Sequence, residues 1–577
     1  MKRLMLGNHA IARGCFDAGV RVATAYPGTP STEITEYISQ YDEIYSEWAP
    51  NEKVALEVAL GAAIFGKRAL CSMKHVGLNV ASDPLFTASY TGINAGLVVA
   101  VADDPGMHSS QNEQDTRNIA KAAKIPVLEP SDSQECLDFA RRGFEISEMF
   151  DTPVVLRSTT RVSHSQSIVE IDERKEVDFE YKKDVEKYVM MPAMARKRHE
   201  IVEEREKRLR EFAETVELNR IEEGTSNMAF ITSGISYQYV KEAYPDACIL
   251  KLGMVYPLPE KLVRGFCGRF EKVYVVEELD PFLEENIKVM GVNNIIGKEI
   301  FKRTGEYSPS FIKTSIEKCK LEIPYRVDEE LPARPPVLCP GCPHRGVFYS
   351  LRRIKNAVIT GDIGCYTLGA LPPFNAMDTC ICMGASIGMA HGISKVSDPS
   401  IKTIAVIGDS TFIHSGITGL IDAVYNKSNI LILILDNITT GMTGHQDHPA
   451  TGYNIKGEET RQLDIAKLCR SIGCDVVEEI DPYRINENIK RINDLLEIPG
   501  VKVVIAKAPC KLHRRYNTTL PGRYVDPDKC KNCKVCLTLG CPAMSYREIP
   551  DIDPNLCASC GMCESLCKFG AISMIKE

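Results

Sequence analysis

The sequence predicts a multidomain α/β protein with parallel sheets, ending in a small cysteine-rich domain. Three observations carry that prediction. Short apolar runs alternate with helix-period segments along most of the chain, the pattern of parallel strands joined by crossover helices. The 577 residues exceed what one domain holds. Eight of the 22 cysteines fall in the last 48 residues. Hydrophobic residues are 44% and charged residues 25%, as in ordinary globular proteins, and the net charge of −8 offers no hint of nucleic-acid binding. The longest apolar run, Ile430 to Leu435, is far too short to cross a bilayer. The N-terminal MKRLMLGNHAIARG lacks the apolar stretch and cleavage site of a signal peptide. A cytoplasmic location is therefore expected, where so many cysteines point to metal rather than disulfides.

The elements follow in order. Over residues 1–165, VRVATAYPG, RALCSMKH, AGLVVAVAD, IPVLEP and TPVVLRS read as buried strands with helices between them. Residues 166–222 are densely charged. Ala193 to Asn219 reads as one long polar helix, and the segment as a solvated linker. A second α/β unit spans 223–325, with strands at MAFITSG, ACILKLG and KVYVVEE. The proline-rich ELPARPPVLCPGCP opens a third, 326–520, with strands at TIAVIGD, ILILILDN and VKVVIAK. Residues 521–577 form the last domain.

That last domain carries the sharpest motif. It reads Cys530-x2-Cys533-x2-Cys536-x4-Cys541-Pro542, then Cys557-x2-Cys560-x2-Cys563-x3-Cys567. Two such runs mark a two-cluster ferredoxin domain, in which three cysteines wrap one [4Fe–4S] cubane and the fourth ligand comes from the other run. One cluster is expected on Cys530, Cys533, Cys536 and Cys567, the other on Cys557, Cys560, Cys563 and Cys541. The first run is one residue longer than usual before its last cysteine, and Lys568 stands where a proline is common. Zinc would also suit CxxC pairs, but no histidine is interleaved.

The third domain holds a second motif. Gly408-Asp409-Ser410 and, 25 residues later, Asp436-Asn437 each follow an apolar strand. Both therefore sit at carboxyl ends of parallel strands, where α/β sheets bind ligands. The pair resembles the thiamine-diphosphate motif. Mg²⁺ favours few protein oxygens plus phosphate, and Asp409, the Asn437 amide and the Thr439 carbonyl could supply three. Ser410 and Asp436 replace the residues usual in that motif, and a plain strand-end turn would also explain GDS. Thiamine chemistry further needs a carboxyl at the aminopyrimidine. Glu52 and Glu57, on a helix rich in small residues, are the rivals, and a first-turn glutamate favoured by the helix dipole is the simpler reading of Glu52. Cys339-Pro-Gly-Cys342, Cys365 and Cys510 would suffice for a third cluster. A structural zinc or unligated cysteines are alternatives, as are Cys380 and Cys382 as rival ligands.

YPGTPSTE (26–33), NEKVALEVALGA (51–62), MKHVGLN (73–79), CPGCPHR (339–345), GDIGCYTLG (361–369) and DNITTGMTGHQ (436–446) together resemble the large subunits of the indolepyruvate branch of the thiamine-dependent 2-oxoacid:ferredoxin oxidoreductases. The likeness covers essentially the whole chain. It implies two thiamine-diphosphate-binding-type domains, a transketolase C-terminal-like domain at 223–325, and the ferredoxin domain. It implies Glu52 as the aminopyrimidine partner and Cys339, Cys342, Cys365 and Cys510 as ligands of a proximal cluster. It implies oxidative decarboxylation of an arylpyruvate such as indolepyruvate, with CoA, to the aryl-acetyl-CoA, the electrons passing singly to ferredoxin. By the same resemblance, Thr29 aligns with a substrate-contacting threonine in related pyruvate enzymes. His75, His344 and His414 lie in family motifs and are candidates for the keto oxygen, carboxylate or diphosphate, though each alone reads more simply as structural. Arg117, in QNEQDTR, is a candidate for the substrate carboxylate or CoA, with plain surface exposure an equal alternative. No stretch remains for the family's smaller α/β domain, so a separate beta subunit is expected. Two other readings compete: a non-oxidative thiamine lyase, which needs no electron wire, and an electron-transfer subunit without catalysis.

Overall fold

Runs of alanine, valine and leucine in the first half build a sheet buried on both faces, as parallel strands between helices require. The computed structural model describes residues 1–318, 334–516 and 521–575, which fall into two units, Met1–Asp328 and Glu329–Glu577. The boundary expected at 325/326 lies outside the described residues, as does residue 520.

In the first unit, seven strands stand in the order Met254–Tyr256, Val127–Leu128, Val154–Thr159, Leu97–Asp103, Ala69–Lys74, Val22–Ala25, Tyr45–Trp48. All neighbours are parallel except the first pair. The five apolar runs expected as strands over 1–165 all contribute. Tyr45–Trp48 was not foreseen, and neither was Met254–Tyr256, which arrives from the following segment and closes the edge. A second sheet runs Ile295–Ile296, Val273–Val276, Ala229–Thr232, Cys248–Lys251, Arg220–Glu222.

The charged segment 166–222 differs from a solvated linker. Gln166–Glu170 pairs antiparallel with Lys2–Leu6. The helix Pro192–Ala213 buries Arg198, Val202, Arg205, Glu206, Leu209 and Ala213. Its arginines do this by capping carbonyls: Arg205 donates to the Ser89 and Asp151 carbonyls at 2.8 and 2.9 Å, and Arg198 to Tyr90 at 2.6 Å. Long stems pack while the heads find acceptors, so a polar helix can still have a buried face.

The second unit holds a wholly parallel six-stranded sheet, ordered Thr379–Cys380, Ala357–Gly361, Lys402–Gly408, Ile430–Asp436, Val501–Lys507, Val476–Ile480. The central strand Ile430–Asp436 is buried along its whole length. Beyond residue 520 lie two small antiparallel ribbons, Arg523–Val525 with Ile572–Met574 and Met544–Tyr546 with Pro550–Ile552. No helix among the described residues is long and apolar enough to cross a membrane.

Candidate active site and cluster centres

In the first unit, the candidate residues gather at the carboxyl end of the strand Ala69–Lys74. Asn51 caps the helix Glu52–Phe65, its side chain accepting from the Val54 amide at 3.0 Å. That cap fixes Glu52 in the first turn, buried at 5% exposure. Gly77 passes so close that a β-carbon there would stand 2.6 Å from Glu52 Cγ and Oε1. Only glycine leaves room for this carboxylate. Glu57, the rival, is exposed and paired with Lys53. His75 is buried, with Nε2 3.3 Å from the Asn112 carbonyl oxygen and Nδ1 without a partner. Thr29 is half-buried, and its carbonyl accepts from Ser109 Oγ at 3.1 Å. Sequence reasoning passed over Lys74, whose Nζ donates to the Ser109 carbonyl at 2.6 Å. Burial lowers its ammonium to about 8, against the pull of Asp104. The strand is read from its mostly apolar residues, and nothing in that pattern marks the lysine at its end.

Arg117 is not available to a substrate. It is 1% exposed, and its guanidinium bonds Asp115 (Nε to Oδ1, 2.8 Å) and Glu277 (2.8 Å). Asp115, two residues earlier, and Glu277, from a later segment, take it up together, so it serves as a buried strut.

In the second unit, the neighbouring strands Lys402–Gly408 and Ile430–Asp436 end side by side. Gly408 lies under Tyr366, where a β-carbon would stand 2.6 Å from the ring. Asp409 Oδ1 accepts from the Ser410 amide at 2.9 Å, while Oδ2 accepts from the Ile438 amide at 3.0 Å and lies 3.2 Å from His448 Nε2. Burial alone would raise the Asp409 carboxyl, but His448 and these bonds outweigh it and hold the group below its ordinary value. Asp436 goes the other way, pushed up to about 7 by burial and by the Asp409 charge. His448 and Asp362 were missed at the sequence level. Asp362 accepts from the Gly384 and Ser386 amides at 2.9 and 3.0 Å and so shapes the turn into the helix Ala385–Val396. Ser410 Oγ accepts from Thr440 Oγ1 at 2.9 Å. His414 is buried, with Nδ1 2.6 Å from Ser415 Oγ. Burial pushes His344 down to about 4, and Asp409 is the charge that opposes the fall.

The Asn437 amide tests whether a cation suits this turn. Its oxygen faces only acceptors, in the position from which a swapped amide nitrogen would reach the Thr439 carbonyl at 2.9 Å and Asp409 Oδ1 at 3.2 Å. Three oxygens at that spacing repel unless the amide turns over or a cation stands among them. Adjacent oxygens of an Mg²⁺ octahedron are about 2.9 Å apart, so the donor set fits. The turn itself is strained: Ile438, a β-branched residue, has φ of +59°.

The twelve candidate cysteines group into three sets of four. Cys342 has Cys339 and Cys365 as charge neighbours, and Cys365 has Cys510 and Cys339. Cys530, Cys533, Cys536 and Cys567 line one small pocket. Cys563 neighbours Cys560, Cys557 and Cys541. Burial pushes the thiols of Cys342 and Cys563 up to about 12 and that of Cys365 to about 11. Bare thiolates are thus disfavoured there, and an iron core would supply the missing positive charge. Amides donate to Cys530 Sγ (Asn532, 3.4 Å) and Cys567 Sγ (Ala571, 3.3 Å), as cluster sulfurs commonly require. Among the described residues no three His, Cys, Asp or Glu side chains converge on a single ion. A cubane does not ask for that, because each thiolate binds a different iron. The first set adjoins the Asn437 turn. A β-carbon on Gly441 would stand 3.5 Å from Asn437 Nδ2 and 3.6 Å from Cys365 Sγ, and the Cys510 amide donates to the Asn437 carbonyl at 3.0 Å.

Family models agree with this division of labour. Residues 13–222 match the thiamine-diphosphate-binding model of pyruvate flavodoxin/ferredoxin oxidoreductases, 362–506 the C-terminal thiamine-pyrophosphate-binding domain, and 550–573 a 4Fe–4S binding domain. The longer-spaced first cysteine run lies outside that last match. The chain is therefore an oxidoreductase of the thiamine-diphosphate- and iron–sulfur-dependent class. More narrowly, it belongs to the family of the indolepyruvate oxidoreductase subunit IorA. It is 42% identical to that subunit from Archaeoglobus fulgidus (100% of this chain, 98% of the relative) and 43% identical to that from Pyrococcus horikoshii (100% and 97%). The relative from Methanothermobacter thermautotrophicus is 41% identical (99% and 97%).

Proposed function

We propose that the chain is the catalytic subunit for oxidative decarboxylation of arylpyruvates such as indolepyruvate, with CoA, to aryl-acetyl-CoA and CO₂, reducing ferredoxin. One observation carries the reading beyond family membership: the Asn437 turn and the Cys365 thiol flank the same glycine, Gly441. A thiamine lyase has no use for a cysteine set beside its diphosphate turn, and a bare electron carrier has none for Glu52 held under Gly77.

Thiamine diphosphate, when bound, supplies the electron sink for decarboxylation. Glu52 holds the proton at the aminopyrimidine ring nitrogen. Asp409, the Asn437 amide and the Thr439 carbonyl hold Mg²⁺, with Gly408 and Ser410 beside the diphosphate. Cys339, Cys342, Cys365 and Cys510 hold a proximal [4Fe–4S] cluster, and the two C-terminal sets hold two more. Thr29, His75 and His414 are assigned to substrate or cofactor contact, the unpaired Nδ1 of His75 supporting its part. A smaller beta subunit completes the enzyme in the cytoplasm. The test is anaerobic reduction of methyl viologen by the native complex with indolepyruvate. Rapid, CoA-dependent reduction is expected; CO₂ and aldehyde release without dye reduction would replace this reading with the lyase.

A further inference from the structure

Arg345 is among the largest fully buried side chains, at 1% exposure, and no carboxylate within 4 Å balances it among the described residues. Its guanidinium is held by carbonyls alone: Nη1 donates to Leu539 (2.9 Å) and Gly540 (2.6 Å), and Nη2 to Leu338 and Cys339 (3.2 Å). Nε has no partner. These carbonyls belong to two different cysteine runs, that of Cys339 and that of Cys541. The cysteines whose thiolates, once bound to iron, would offset the burial of Arg345 are Cys541, Cys342, Cys560 and Cys339, two from the first set and two from the third. The two sets lie side by side, for a β-carbon on Gly341 would stand 3.7 Å from Cys560 Cβ. Burying a guanidinium with no carboxylate beside it is costly, and packing alone would be met by leucine or methionine.

We propose that Arg345 is an electrostatic bridge between the proximal cluster and the cluster of Cys541, Cys557, Cys560 and Cys563, favouring the reduced state of both. The inference rests on the cluster assignment above. Each one-electron reduction adds one negative charge to a cluster. A fixed cation shared by two of them stabilises the reduced form of each and keeps the step between them near level. Among the described residues no hydrogen bond joins Arg345 to a cysteine of the set Cys530, Cys533, Cys536 and Cys567, and that set is the internal control.

The test is a potentiometric titration of the full complex, prepared anaerobically and followed by electron paramagnetic resonance, for wild type, Arg345→Gln and Arg345→Lys, with iron measured in each. Glutamine keeps a donor for the carbonyls and loses the charge. It is expected to make the reduction constants of two clusters about tenfold less favourable, a shift of about 59 mV per electron, and to leave the third unchanged. Lysine is expected to restore most of the shift. Loss of iron in the glutamine variant but not in the lysine variant supports the same conclusion. Unchanged midpoints at full iron content, equal shifts in all three clusters, or loss of iron in both variants would overturn it. Wild type that itself lacks iron for a third cluster would overturn the cluster assignment instead.

Discussion

Glu52 shows how far a single side chain depends on its neighbour. Its carboxylate occupies space that only a glycine at position 77 leaves open. Glu52→Gln is expected to lower turnover by about 10² to 10⁴, the usual worth of a positioned acid–base group, while bound thiamine diphosphate stays constant. Gly77→Ala should approach the same loss with Glu52 still present, because the added methyl displaces the carboxylate. Steady-state kinetics with cofactor assay would separate this from a binding defect. Away from the site, Glu278 is 6% exposed and accepts from the Tyr307 amide at 2.8 Å. Burial raises its carboxyl to about 7, against roughly 4.3 in an unfolded chain. Between those values the folded state keeps a proton that the unfolded state has released. Stability therefore falls as pH rises through the window, and the whole penalty is present above it. Glu278→Gln is expected to stabilise by up to about 3 kcal/mol near pH 8 and to change little near pH 4. Denaturant midpoints at the two pH values check the sign.

Among the elements, the strand ends Gly408 and Asp436 bring together residues 28 positions apart in the chain, and the turn after Asn437 brings Cys365 beside them. Cys365→Ser is expected to take iron from about twelve to about eight atoms per chain and to abolish electron output while thiamine diphosphate remains bound. Unchanged iron with intact turnover would remove the proximal cluster from the assignment. The strands and this turn were legible because apolar runs and the GDS…DN spacing are local signals. The partners that matter most at the turn were not. His448 reaches Asp409 from 39 residues away, and away from the turn Arg345 meets Leu539 across 194; spacing alone cannot report such pairs. The helix Pro192–Ala213 misled for a different reason. Its buried face sets Arg198 and Arg205, which cap carbonyls, beside Val202, Leu209 and Ala213, and composition counts the arginines as solvated.

At the scale of the whole chain, the cysteine runs point to electron transfer, and twelve cysteines fall near one another in three sets of four. They also differ in exposure, which suggests an order. Cys533 is exposed and Cys530 half-buried. The same loop carries the exposed Lys531 and Lys534, with Lys529 beside them. Lys529 is paired with Asp526 at 2.9 Å, and Lys534 stacks over Tyr546 at 4.1 Å, which leaves Lys531 the least engaged. A set of positive charges on the rim of this cysteine set favours encounter with an acidic electron acceptor and not with a cationic dye. Lys531→Glu is therefore expected to slow ferredoxin reduction several-fold at low ionic strength. The difference from wild type should close as salt is raised past the point where the Debye length falls to about 8 Å. Methyl viologen reduction by the same variant should be unaffected or slightly faster. Equal slowing with both acceptors would mean that the substitution disturbs the cluster itself, and the exit would have to be sought on another face.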